Sequence, residues 1–251
     1  LLIMDIAGGR VVIELAPMFA PEHVANIRTL AKQGSWNGLA IIRSHDNFVV
    51  QWGDPAEDPK NAKALGAAKT KLPAEFTVRG FDKNSFHAMP DNDGWSKTAG
   101  YVAGFPAATN GKQTWMAHCY GDVGAGRGIE ADSSIGTELY VVTGQSPRQL
   151  DRNITSVGRV LQGMEYLSIL PRGTGPLGFY EKPEQYVPIK SIALASSLPA
   201  SEQVNLEVFR TDTKTFDALV ESRRNRKDDF YHTPAGHIDL CNIPIPVRVK
   251  K

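Results

Sequence analysis

Cysteine is scarce in this chain: the 251 residues hold only two, Cys119 and Cys241. That excludes a disulfide-dense small scaffold and leaves either one bridge or two buried thiols. Net charge is almost absent, +1 at pH 7, so no strong field draws the chain to nucleic acid or an anionic membrane. No apolar run approaches the roughly 20 residues that a membrane-spanning helix needs. There is no internal repeat and no low-complexity tract. Metal-ligand spacing is missing too: His232, His237 and Asp239 lie close together, but Pro234 and Gly236 deny them a shared helical face. Gly173-Thr-Gly175-Pro-Leu-Gly178 fits G-x-G-x-x-G, yet it follows a helical pattern and contains Pro176, so it does not read as a dinucleotide site. Gly124, Gly126 and Gly128 have no Gly-Lys-Ser/Thr after them and read as a flexible loop. Arg223, Arg224, Arg226 and Lys227 sit beside Asp228 and Asp229 and read as a solvated helix end. The expectation is a monomer with no cofactor, no metal, no nucleic-acid partner and no membrane insertion.

What remains is an ordinary globular balance, 41% apolar and 22% charged, which permits a real core. Val11, Ile13 and Leu15 alternate with Arg10, Val12 and Glu14, the period of a half-buried strand. Gly8-Gly9 signals a tight turn from a partner strand at Leu2 to Ile6. Pro21 suits a first helical turn, and Val24, Ile27, Leu30 and Ala31 follow at helical spacing, so 21–33 is predicted as an amphipathic helix stopped by Gly34. Short strands are predicted at 39–42, 47–51, 72–78, 114–119, 138–143, 156–160 and 187–195, and a helix at 162–170. Residues 55–70 read as an exposed loop, and 79–110 as an insertion without regular pattern. Beyond 196, Val204, Leu206 and Val208 alternate and 214–224 is helical. Many strands with two helices in the main body point to a closed antiparallel barrel.

Two stretches carry a resemblance. Residues 9–30 read GRVVIELAPMFAPEHVANIRTL, and residues 41–55 read IIRSHDNFVVQWGDP. They resemble cyclophilins, which carry E-L, A-P and N-F-x-x-L, then F-H-R-x-I-x-x-F-x-x-Q-G-G-D. A weaker match, 135–167, is similar to the family's N-G-S-Q-F-F-I, L-D and F-G-x-V-x-x-G-M. The clear blocks cover about a third of the chain and the weaker ones extend the likeness over 1–196.

The resemblance implies a mainly β protein: an eight-stranded closed antiparallel barrel capped by two helices, with a peptide groove on its outer face. It implies a peptidyl-prolyl cis-trans isomerase acting on proline-containing peptides and unfolded clients. An X–Pro bond rotates slowly because amide resonance imposes a barrier of roughly 20 kcal/mol. A donor to the prolyl nitrogen or to the twisted amide weakens that resonance, and a planar, always charged guanidinium suits the task. Carried over by position, Arg43 is the catalytic donor, Gln51 either positions it or bonds the substrate backbone, and Phe48 lines the proline pocket. Val49, Tyr140, Leu150 and Ile154 line the groove. Met116, Ala117 and His118 stand where the family has M-A-N and are expected to present backbone groups to the peptide. Alone, Arg43 reads as a surface salt-bridge arginine; Phe48 and Gln51 at family spacing change that.

Several positions depart from the family. Ile42 replaces the usual His, Glu138 the usual Gln, Gln149 a Trp, and Ile154 a His. The loss of the indole at Gln149 implies weak cyclosporin inhibition. Glu138 either pairs with Arg43, which implies reduced activity and a faster Glu138→Gln variant, or points to solvent. His45 reads as a solvated turn residue.

The expected domains are a barrel over 1–196, interrupted at about 79–110, and an extension over 197–251. Extension and insertion are expected to pack together as a small α/β lobe. A Cys119–Cys241 bridge would close a loop of more than a hundred residues, worth roughly 4–5 kcal/mol in the chain-entropy model. It would imply an exported, bacterial periplasmic protein; two free thiols would fit the cytoplasm. The sequence begins at Leu1 without Met, so a trimmed or processed chain is expected. The competing functions are a non-catalytic proline-peptide binding module and a scaffold.

Overall fold

The structure is a computed structural model that describes residues 1–56, 60–81 and 84–250. Parts of the predicted 55–70 loop (57–59) and of the predicted insertion (82 and 83) therefore lie outside the described residues. The chain forms two compact units, 1–76 with 118–204, and 77–117 with 205–251.

The first unit is a closed barrel of eight antiparallel strands. They are β1 Leu2–Ile6, β2 Gly9–Leu15, β3 Ala40–Ser44, β4 Val49–Gly53, β5 Asp122–Ala125, β6 Leu139–Val142, β7 Thr155–Gln162 and β8 Val187–Leu194. Their order around the barrel is β1-β8-β3-β4-β6-β5-β7-β2. Period-two alternation sends Met4, Ile13, Ile41, Val50, Trp52, Val123, Val141 and Val157 into the barrel core. Closure leaves no free strand edge.

Helix α1, Pro21–Lys32, buries Val24, Ile27, Leu30 and Ala31. Its N-cap residue, Ala20, has no capping side chain. The cap comes from Glu75 instead, whose carboxylate accepts from the Glu22 N–H at 2.9 Å, the His23 N–H at 2.9 Å and His23 Nδ1 at 2.7 Å. This explains why 72–77 is not the predicted strand. Pro73 has no N–H to give, and Glu75 is committed to the helix end; only Val78–Arg79 pairs, in the second unit.

Three other expectations are corrected. The glycine run at 124–128 is no loop at its start: Asp122–Ala125 is a wholly buried barrel strand. A Cβ on Gly124 would lie 2.1 Å from the Tyr140 ring, so glycine there is a space requirement of the neighbouring strand. The helix predicted at 162–170 is shorter, α2 Met164–Ser168. Strand β7 persists to Gln162, and Gly163 turns the chain at φ +92 with no room for a side chain against Arg10 O. The strand at 114–119 is Gln113–Met116, and it belongs to the second unit.

The second unit holds a five-stranded antiparallel sheet in the order Val78–Arg79, Gln113–Met116, Phe105–Thr109, Thr98–Val102, Phe86–Ala88. Three of these strands fall in the stretch expected to lack pattern. They are short and rich in Ala, Gly and Thr, and Gly100 is needed because a Cβ would meet His87 O at 2.1 Å. Helix α3, Lys214–Arg224, is N-capped by the Thr213 side chain and buries Phe216 and Val220. Phe216 meets Tyr101 edge to face at 5.1 Å. Leu206–Val208 and Val247–Val249 form a separate two-stranded sheet. Among the described residues no helix is long and apolar enough to cross a membrane. Cys119 and Cys241 are both disulfide-bonded, so the free-thiol alternative does not hold.

Candidate active site

The β3–β4 hairpin builds the centre of the site. It turns through Asn47 at φ +50, a conformation that Asn tolerates, with the Phe48 N–H donating to His45 O. A bulge sets two residues of β3, Ile42 and Arg43, against one of β4. Ile41 thereby faces Trp52 while Arg43 stands directly opposite Gln51. Gln51 in turn stands opposite Tyr140 on β6, and Tyr140 opposite Gly124 on β5. Arg43, Gln51 and Tyr140 thus form a row across three strands.

Arg43 is half-buried, and burial lowers its pKa from the ordinary value without threatening its charge. Its Nε donates to Leu177 O at 2.7 Å, its Nη1 to Gln51 Oε1 at 3.1 Å, and its Nη2 contacts His45 Nδ1 at 3.1 Å. A guanidinium has five N–H groups, so three engaged leave two, one on each terminal nitrogen. Its Cζ lies over two rings, 5.4 Å from the Phe48 centroid and 5.1 Å from that of Phe179.

Beside this donor lies a small apolar cluster. Val49, Tyr140 and Val142 are buried there, with Phe48, Leu150 and Ile154 packed against them. Phe48 belongs to both features: it packs on the cluster and lies under the guanidinium.

Glu138 neither pairs with Arg43 nor stands alone in solvent. It is exposed, and its carboxylate accepts from Gln51 Nε2 at 2.8 Å. Because a carboxylate only accepts, Gln51 must turn its NH2 toward Glu138 and its Oε1 toward Arg43. The side chain reaches there across Gly53, whose hypothetical Cβ would lie 2.7 Å from Glu138 Cγ.

His118 is buried against Tyr140 of the cluster. Its N–H and ring Nδ1 both contact Asp151 Oδ1 at 3.0 Å, and its Nε2 meets the Tyr140 hydroxyl at 3.0 Å. The His118 N–H is therefore engaged within the protein and not offered to a peptide. Arg148 Nε donates to Asp151 Oδ2 at 3.0 Å. Burial pushes the Asp151 carboxyl up, but the bonds from His118 and the charge of Arg148 hold it below its ordinary value. Met116 and Ala117 belong to the second unit, where Met116 pairs with Ala107 and the Ala117 N–H donates to Pro106 O.

Asp122 behaves oppositely to Asp151. Complete burial raises its pKa to about 7, only partly offset by His118 and by the Ser156 hydroxyl, which donates to it at 2.8 Å. Folding thus favours the protonated acid, and its contribution is full below the unfolded value of 3.8 and lost as pH rises through about 7. Wild type should lose at most about 4 kcal/mol relative to Asp122→Asn across that window. Denaturant unfolding of both proteins from pH 4 to 8 checks this; parallel stability curves would contradict it.

Sequence reasoning missed three residues that shape the site: His45, Leu177 and Phe179. His45 was two residues from Arg43, the spacing that puts side chains on one strand face. Leu177 and Phe179 come from the Gly173–Gly178 run, which crosses to β3 through Gly173 N–H to Ser44 O and Tyr180 N–H to Ile42 O. No local signal marks that return.

Comparisons with known proteins bear on the family of the chain. A family model described as cyclophilin type peptidyl-prolyl cis-trans isomerase matches residues 1–194. A probable peptidyl-prolyl cis-trans isomerase of Brucella suis is 35% identical over 86 residues, 32% of this chain. That match spans 44% of the Brucella protein, less than half of its length. A putative peptidyl-prolyl cis-trans isomerase of Staphylococcus saprophyticus is 27% identical over 202 residues, 77% of this chain and 90% of the relative. The crystal structure of cyclophilin AquaCyp293 from Hirschia baltica is similar with a TM-score of 0.75 and 26% identity, covering 100% of this chain and 91% of that one.

Proposed function

The chain belongs to the cyclophilin-type peptidyl-prolyl cis-trans isomerase family, and on that premise we propose that it accelerates rotation about X–Pro bonds, with Arg43 as the donor. One observation carries the reading. A fixed guanidinium with two N–H groups left over stands beside an apolar cluster of Val49, Tyr140 and Val142 that partly buried Phe48, Leu150 and Ile154 complete. The partly buried side chains of that cluster receive the proline ring. The spare N–H groups meet the prolyl amide as it twists, when its nitrogen regains a lone pair and can accept. Donors fixed before the reaction need no reorganisation at the transition state. No covalent step is required. Substrates are proline-containing peptides and unfolded protein segments. Gln149, exposed where the family carries an indole, supports low cyclosporin sensitivity. The disulfide-bonded cysteines support an oxidising compartment such as a bacterial periplasm.

A protease-coupled assay on a short proline peptide tests the proposal: catalytic amounts of protein should accelerate the cis-to-trans phase. Glu138 refines it. With Glu138→Ala the Gln51 amide is free to turn its NH2 toward Arg43, and kcat/KM should fall about 3- to 10-fold, the worth of one hydrogen bond. Glu138→Gln keeps an acceptor for the Gln51 amide, so its rate should stay close to wild type. Equal rates for Glu138→Ala and wild type would show that Glu138 does not set the Gln51 amide.

A further inference from the structure

We infer that His45 is a positioning residue for Arg43, and that its protonation releases the guanidinium and lowers activity in acid. The inference rests on Arg43 being the donor to the prolyl amide.

The geometry dictates the protonation state. Arg43 Nη2 lies 3.1 Å from His45 Nδ1. A guanidinium has no acceptor, so this nitrogen must be the bare one and the ring proton must sit on Nε2. Neutral His45 therefore takes one Nη2 N–H and aims the other. On protonation both ring nitrogens become donors. The hydrogen bond is lost and two cations face each other at the same separation.

The ring has little freedom to turn away. It meets Phe48 edge to face at 5.3 Å, and a Cβ built on Gly178 would lie 2.7 Å from His45 Cβ and 3.0 Å from its Cγ. Gly178, at φ +78, thus lets the 173–180 segment close on the ring. That segment also supplies Leu177 O to Arg43 Nε and the Phe179 ring to its face. The charged groups around His45 are few. Arg43 lies two residues before it, on β3; Asp46 is its neighbour, exposed and paired with Arg172 Nε at 3.0 Å from the segment after α2. Glu138 is a step removed, bonded to Gln51.

Three of the five guanidinium N–H groups are thus assigned to partners from three places: Gln51 on β4, Leu177 on the returning segment, and His45 on the hairpin turn. Of these only His45 can change charge near neutrality.

Two measurements test the inference. The first reads structure without activity: long-range 1H–15N correlation of the full-length labelled protein at pH 8. It should show His45 with Nε2 protonated and Nδ1 bare, and the Arg43 side-chain resonances should shift as His45 titrates. A protonated Nδ1 at pH 8, or Arg43 signals indifferent to that titration, overturns the inference. The second is the pH profile of kcat/KM from pH 8 to 5. Wild type should fall about tenfold, the cost of one charge-assisted contact. His45→Asn places a non-titrating amide oxygen near the Nδ1 position and should lack that acid limb. His45→Leu should be slow at every pH, through kcat more than KM, and His45→Asn should restore most of the loss. Identical acid limbs in wild type and His45→Asn would sink the positioning role. If no protein shows activity that depends on Arg43, the underlying isomerase reading fails instead, and the resonance experiment still decides the His45–Arg43 contact.

Discussion

Arg43→Ala is expected to lower kcat/KM for a proline peptide by about 10²–10³-fold, the usual loss when one preorganised donor leaves a transition state. The fold should survive, because Arg43 is half-buried on the outer face and fills no part of the core cluster. The thermal midpoint should therefore move by only a few degrees. Arg43→Lys retains the charge but not the fork. A lysine cannot bond Gln51 Oε1, Leu177 O and His45 Nδ1 at once while still offering two N–H groups to substrate. It should recover little of the lost rate. Peptide affinity should change far less than turnover, since Val49, Tyr140, Val142 and Phe48 remain in place. Coupled-assay kinetics together with a binding titration separate the two quantities. Equal rates for wild type and Arg43→Ala would leave a peptide-binding module in place of an enzyme.

The largest stability effect is expected at Asp151. Its carboxylate receives the His118 N–H and ring and the Arg148 Nε, and the residues Asp151, His118 and Arg148 are 7%, 1% and 3% exposed. Asp151→Ala takes away the carboxylate that balances buried Arg148, a change that typically costs about 3–5 kcal/mol. For a chain of this size that is about 10 °C or more in thermal midpoint. The damage should reach the proposed proline site, because His118 also meets the Tyr140 hydroxyl and Asp151 follows Leu150 of the apolar cluster. At temperatures where the variant stays folded, KM should rise with a smaller change in kcat. Calorimetry and kinetics on one preparation check both parts. A midpoint within 3 °C of wild type would mean that the network contributes little.

How much of this was legible without coordinates follows from the range of each interaction. Helix α1 was readable because Val24, Ile27, Leu30 and Ala31 repeat along one short stretch. Strands β2 and β4 were readable for the same reason, and the Arg43, Phe48 and Gln51 spacing carried the family likeness. Strand β5 was not readable: Asp122, Gly124 and Gly126 look like loop chemistry until the Tyr140 ring on β6 is seen to occupy the space a side chain would need. The second unit's strands were hidden by Ala and Gly for a similar reason. Glu75 and the Gly173–Gly178 run were misplaced because their roles are long-range, one capping α1 and the other closing on Arg43. Glu138 was flagged as a departure, but only the coordinates put Gln51 between it and Arg43.

The central claim is that this barrel turns X–Pro bonds over. Exchange NMR on a short proline peptide with a catalytic amount of the protein measures that directly. The free peptide interconverts over tens to hundreds of seconds, too slowly for cis–trans exchange peaks at sub-second mixing times. Wild type is predicted to produce those peaks, and Arg43→Ala is predicted to abolish them at the same protein concentration. Absence of exchange peaks with wild type, while peptide resonances shift on binding, would contradict the account.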